Sequence, residues 1–143
     1  MKISWQTVGA WILAIVFGWA GATKVADPSA FANSITGFRL VPWPVGVALA
    51  LYLPWLELII AAALLVPRWR QSALLLAAVL STIFVVVWAI TWARGLDVSC
   101  GCFGGQGTTN AAWALLRAIL LSGFAWGMVI RVGKPEALPN GRT

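Results

Sequence analysis

The chain has 143 residues, of which 61% are hydrophobic and only 10% charged, with ten basic residues against four acidic ones and a net charge of +6. A soluble domain carries about 25% charged residues, so this composition and a mean hydropathy of +0.88 weigh against a soluble enzyme, a disordered chain and a coiled coil. Histidine is absent, which removes His-ligated haem, His-based zinc sites and any Ser–His or Cys–His catalytic pair.

The basic residues stand between long uncharged stretches, a pattern of membrane topology and not of nucleic-acid binding. A bilayer core about 30 Å thick and a helical rise of about 1.5 Å per residue call for roughly 20 apolar residues per span. The first predicted span is 6–23, between Lys2 and Lys24. Its basic start and Ala20-Gly21-Ala22 also resemble a secretory signal with a cleavage site. Its length, and the way it runs directly into a second apolar segment, favour a span.

In the first loop, Asp27-Pro28 reads as an N-cap followed by proline at the first helical position. Phe31, Ile35 and Phe38 then recur at spacings of four and three. That spacing predicts a short amphipathic helix lying flat on the outer membrane surface, ended by Gly37, Pro42 and Pro44.

The second span, 45–66, is interrupted only by Glu57, about 12 residues or 18 Å deep. A carboxylate at that depth must face the bundle, pair with a cation or be protonated. Pro54, one turn earlier, removes a helical hydrogen bond and is expected to bend the helix. Pro67 ends this span, and Arg68-Trp69-Arg70 marks the next interface. The loop is short enough to make spans two and three antiparallel neighbours. The third span is 72–92 and the fourth 111–130, the latter interrupted only by Arg117, about 6 residues or 9 Å from its outer end. Arg117 could snorkel toward the preceding loop or reach down to Glu57. Most of the ten tryptophans suit interfacial anchoring, among them Trp5 and Trp69 at one face and Trp43, Trp92 and Trp113 at the other.

The loop between spans three and four contains Asp97-Val98-Ser99-Cys100-Gly101-Cys102-Phe103-Gly104-Gly105-Gln106-Gly107. Cys100 and Cys102 can approach within bridging distance, though the ring is small and strained. Strain makes such a bond labile and oxidising. A dithiol–disulfide couple is the favoured reading. A soft-metal site holding Cu(I), or zinc across a dimer, and a pair with no chemical role stay open. Lys24 and Arg117 would supply positive potential that favours the thiolate, with Glu57 neutralising the cluster or carrying protons. The competing reading is an interhelical ion pair that fixes packing.

Six basic residues fall on the side of the termini and second loop and three on the other side. The termini are therefore expected in the cytoplasm and the cysteine loop outside, periplasmic in a bacterial inner membrane, where disulfides persist. The expected fold is all-α: an integral-membrane antiparallel bundle of four transmembrane helices with a short surface helix, forming one domain over 1–132 and a polar tail over 133–143.

Cys100-Gly101-Cys102-Phe103-Gly104, Gly18-Trp19-Ala20-Gly21-Ala22-Thr23-Lys24-Val25-Ala26-Asp27-Pro28 and Pro54-Trp55-Leu56-Glu57 together resemble the MauE family of methylamine-utilisation membrane proteins, within a wider DoxX-like group. Arg117 stands where that family tends to carry an arginine. The resemblance covers about residues 9–130. It implies a four-helix membrane protein that supports disulfide formation in periplasmic partners, often beside a thioredoxin-like protein. The expected function is thus a membrane thiol–disulfide redox protein acting through Cys100 and Cys102, with a thioredoxin-like or cysteine-bearing partner. A membrane quinone is a candidate electron acceptor, with Trp92, Phe103 and Trp113 as candidate lining residues. Whether the chain turns over as an enzyme and whether it oligomerises stay open. The alternatives are a non-enzymatic assembly factor or redox-complex subunit, and a soft-metal-handling or transport protein. No nucleic-acid partner and no resident metal are expected.

Overall fold

The computed structural model describes residues 4–96 and 110–133. Among these residues there are five helices and no strand: α1 (Trp5–Ala26), α2 (Pro28–Gly37), α3 (Trp43–Leu65), α4 (Arg70–Ala93) and α5 (Ala111–Val132). Four of them, α1, α3, α4 and α5, are long and apolar enough to cross a bilayer. They overlap the four expected spans, with ends that differ by at most three residues, α3 closing one residue early.

The starts of three helices are fixed by side-chain caps. Ser4, Asp27 and Asn110 accept hydrogen bonds from the backbone N–H groups of Thr7, Ala30 and Ala112, satisfying donors that a helix start leaves open. Asp27 Oδ1 accepts from Ala30 N at 3.0 Å and from the Ser29 hydroxyl at 2.7 Å. Both bonds favour the carboxylate and hold Asp27 below its ordinary range. Left-handed residues follow two helix ends, Arg39 after α2 (φ +52°) and Gly95 after α4 (φ +63°). Glycine is the usual residue at such a position; at Arg39 the chain holds the conformation with a side chain present. Arg94 Nη1 donates to Arg39 O at 3.5 Å and links the two turns. At the opposite end Arg70 ties three helices, donating from Nε to Leu64 O at 3.3 Å and from Nη1 to Thr7 Oγ1 at 3.4 Å.

The bundle is built from two helix pairs. α1 packs along α3 and α4 along α5, and the pairs join chiefly through α3 and α4. The main core unites Leu13 and Phe17 of α1, Ile60 and Leu64 of α3, Leu74 and Ala77 of α4, and Ala125 and Met128 of α5. Small residues set the approach of α1 to α3. A Cβ on Gly21 would lie 3.0 Å from both Pro54 O and Leu58 Cγ, and one on Gly18 would lie 3.8 Å from Ala61 Cβ. Glycine at position 21 is therefore a requirement of close backbone approach. Despite Pro54, α3 is one continuous helix.

These contacts offset α1 along the bundle axis. Gly21 lies beside Pro54 and Leu58, well inside α3, so α1 ends far from the level at which α3 begins. α2 fills the gap and does not lie flat, as its periodicity had suggested. It buries Phe31, Ala32, Ser34 and Ile35 and packs chiefly on α3, with Ala50 in its cluster. Phe31 lies at the level of Phe84, whereas Phe38 stacks edge-on against Trp88 at 5.1 Å and 86°, one turn further along α4. The helix is thus inclined into the bundle, because its apolar face finds protein at that depth.

Candidate functional site

The offset of α1 determines the partner of Glu57. Lys24, near the end of α1, donates from Nζ to Glu57 Oε1 at 2.5 Å, and the two residues are 2% and 1% exposed. Glu57 stands fourteen residues after Trp43, about 21 Å along α3. Phe84, whose ring lies against the pair, is nine residues before Ala93, about 14 Å along α4. The ion pair therefore sits near the middle of the bundle. Lys24 does stand in the last turn of its helix, but that turn lies at the depth of Glu57, and of the two destinations open to Arg117 the one at Glu57 is taken by Lys24. Arg117 is exposed on α5 and has no ion-pair partner among the described residues.

Two aromatic rings complete the surroundings of Lys24. Its Nζ lies 5.0 Å from the Phe31 ring centroid and 4.9 Å from that of Phe84. The negative ring faces attract the ammonium where water is excluded. Glu57 Oε2 is buried without a hydrogen-bond partner. One carboxylate oxygen is thus held and the other is free to accept a proton or a water. That Glu57 needs a partner was legible from its depth alone. Phe31 and Phe84 carried no such signal, since a phenylalanine in an apolar helix has many roles.

Phe31 and Phe84 also line an apolar cavity of about 240 Å³ between α2, α3 and α4. Ile35, Phe38, Leu49, Leu53, Ile83 and Trp88 supply much of its wall, and Ser34 is its one hydroxyl-bearing residue. The Ser34 hydroxyl donates to Ala30 O at 2.9 Å. Trp92 and Trp113 are not part of this wall. They are 59% and 61% exposed, as interfacial anchors are. Trp88, 4% exposed, is the tryptophan that the cavity uses; one indole among several in apolar spans offered no way to select it. Cys100, Cys102 and Phe103 lie outside the described residues. The connection that carries them joins α4 to α5, at the end of the bundle away from Arg68.

A family model described as "Methylamine utilisation protein MauE" matches residues 3–131. The chain is 32% identical over 133 residues to the methylamine utilization protein MauE of Paracoccus denitrificans, covering 92% of this chain and 70% of that protein. It is 32% identical over 116 residues to MauE of Methylophilus methylotrophus, covering 79% and 61%. It is 33% identical over 131 residues to MauE of Paracoccus versutus, covering 90% and 69%. The matched part thus spans about two thirds of the length of these relatives. No solved structure matches the chain. With the family match running through all four long apolar helices, the chain is a multi-pass membrane protein of the MauE family.

Proposed function

We propose that this chain is a membrane thiol–disulfide redox protein serving methylamine utilisation, with Cys100 and Cys102 as the exchanging pair. The single observation that carries this reading is a vicinal Cys-Gly-Cys in the α4–α5 connection of a chain with two cysteines and no histidine. In the oxidised form, a thiolate of an extracytoplasmic partner attacks the Cys100–Cys102 bond and forms a mixed disulfide. A second partner thiol displaces it, leaving a partner disulfide and the Cys100/Cys102 dithiol. The partner is a thioredoxin-like or cysteine-bearing protein. Reoxidation passes two electrons and two protons to a membrane quinone, giving the hydroquinone. The cavity beside α2 supports this step to the extent that its apolar wall suits the hydrocarbon part of such a molecule. The distribution of basic residues supports an inner-membrane orientation with the termini in the cytoplasm and the cysteine connection in the periplasm.

Lys24 and Glu57 hold α1 against α3 beneath α2 in this reading. The unbonded Glu57 Oε2 favours a second role, as a station for protons released when the dithiol is oxidised.

Trapping tests the proposal. Cys100→Ser or Cys102→Ser should accumulate a covalent adduct with an extracytoplasmic protein, visible without reductant and lost with it. Replacing both cysteines by serine should abolish oxidation of that protein. Full oxidation by the doubly substituted chain would leave the non-enzymatic assembly factor as the better account.

A further inference from the structure

One face of α5 is left unused by the bundle and by the cysteine chemistry. The helix packs along α4 and makes only a small contact with α1, where Met128 meets Gly9. Gly123 and Gly127 point away from both neighbours, since a Cβ built on either would find nothing within 4 Å. Leu116 and Leu120 are exposed on the same side. At 3.6 residues per turn these four positions fall within an arc of about 60°. Glycines spaced by four on an open transmembrane face let a second helix backbone come close.

Arg117 borders this stripe. It is exposed, six residues into α5 and so about 9 Å from the Ala111 end. A guanidinium at that depth reaches out to the interface or meets an anion, and beside an open glycine face a partner helix can supply one. Glu57, the acidic residue within the spans of this chain, is buried against Lys24. We propose that this face of α5 seats a membrane-spanning helix of a different protein, one with small residues opposite Gly123 and Gly127 and an Asp or Glu carboxylate at the depth of Arg117. A second copy of this chain is the wrong occupant. It offers no free intramembrane carboxylate, and a parallel two-fold pair sets one Arg117 at the same depth as the other.

The test uses the full chain, fluorescently tagged at its C-terminus, in phosphatidylcholine vesicles. The probe is a synthetic Leu/Ala-rich single-span peptide with a Gly-x-x-x-Gly face, an acceptor dye and one Glu about 9 Å from its end; its control carries Gln instead. The Glu peptide should associate about tenfold more tightly than the Gln peptide. Arg117→Gln should erase that difference and Arg117→Lys should keep most of it. Gly123→Leu with Gly127→Leu should weaken both peptides with unchanged helix content, because each side chain points into open space. Equal binding of the two peptides, or none, would overturn the proposal. So would glycine-sensitive energy transfer between two copies of the chain, which would assign the face to self-association. An Arg117 effect seen only after adding phosphatidylglycerol would assign the guanidinium to lipid phosphate and also overturn it.

Discussion

Lys24 and Glu57 show how one buried pair organises the residues around it. Taking two ions out of water is costly, and their attraction offsets that cost only while both are present. Glu57→Leu leaves an uncompensated ammonium between two phenyl rings and should destabilise the protein by about 3–5 kcal/mol. Lys24→Met combined with Glu57→Leu should recover most of that loss, as followed by thermal unfolding in detergent. The double variant also separates the two roles of Glu57. If it folds but oxidises its partner slowly, the carboxylate carries protons; full activity would reduce the pair to packing. Gly21 makes a second prediction at this scale. Gly21→Ala drives a methyl against the Pro54 carbonyl and Leu58, so α1 and α3 must separate, at a cost of about 1–3 kcal/mol. Gly9→Ala should cost less, because the atoms it meets are the flexible end of Met128.

At the scale of elements, α2 depends on its cap and its wedge of aromatic side chains. Asp27→Asn keeps an acceptor for Ala30 N, whereas Asp27→Ala removes it, so only the second should fray the start of α2 in hydrogen exchange. The pH dependence has a definite sign. Because the folded state lowers the Asp27 pKa from 3.8, the cap contributes fully above that value and is lost as pH falls through the lower native one. α4 and α5 are joined by a polar chain in which Trp126 Nε1 donates to Thr82 Oγ1 at 3.0 Å and Thr82 lies 3.2 Å from the Ser122 hydroxyl. Interhelical hydrogen bonds in membranes are weak on average. Thr82→Val should therefore cost about 0.6 kcal/mol and leave the α4–α5 pairing intact.

For the whole molecule, four helices crossing in alternation put the α3–α4 and α4–α5 connections at opposite ends. After an impermeant reductant, an impermeant maleimide should label Cys100 and Cys102 in intact spheroplasts and miss a cysteine placed at Arg68 in a chain whose own cysteines are serine. The reverse pattern would invert the proposed orientation and remove the partner from reach. Much of this architecture was legible without coordinates. About 20 consecutive residues without charge have few homes other than a bilayer, and short connections force neighbours to run antiparallel. Glu57 announced itself because a carboxylate at that depth must be met by something. What met it was not legible. Lys24 looked terminal when its place was counted from the end of its own helix, and Arg117 could turn either to the cysteine loop or to Glu57. The axial offset between α1 and α3 gave Glu57 to Lys24, and it comes from Gly21 packing on Pro54 and Leu58, a contact that no periodicity encodes. The tilt of α2, the choice of Trp88 over Trp92 and Trp113 for the cavity wall, and the open glycine face of α5 are likewise set by tertiary packing. Hydrophobicity, which is local, determined how many helices cross and in which order. Their relative height and rotation were decided by tertiary contact alone, because uniformly apolar helices present lipid and protein with nearly the same surface, and only steric fit tells them apart.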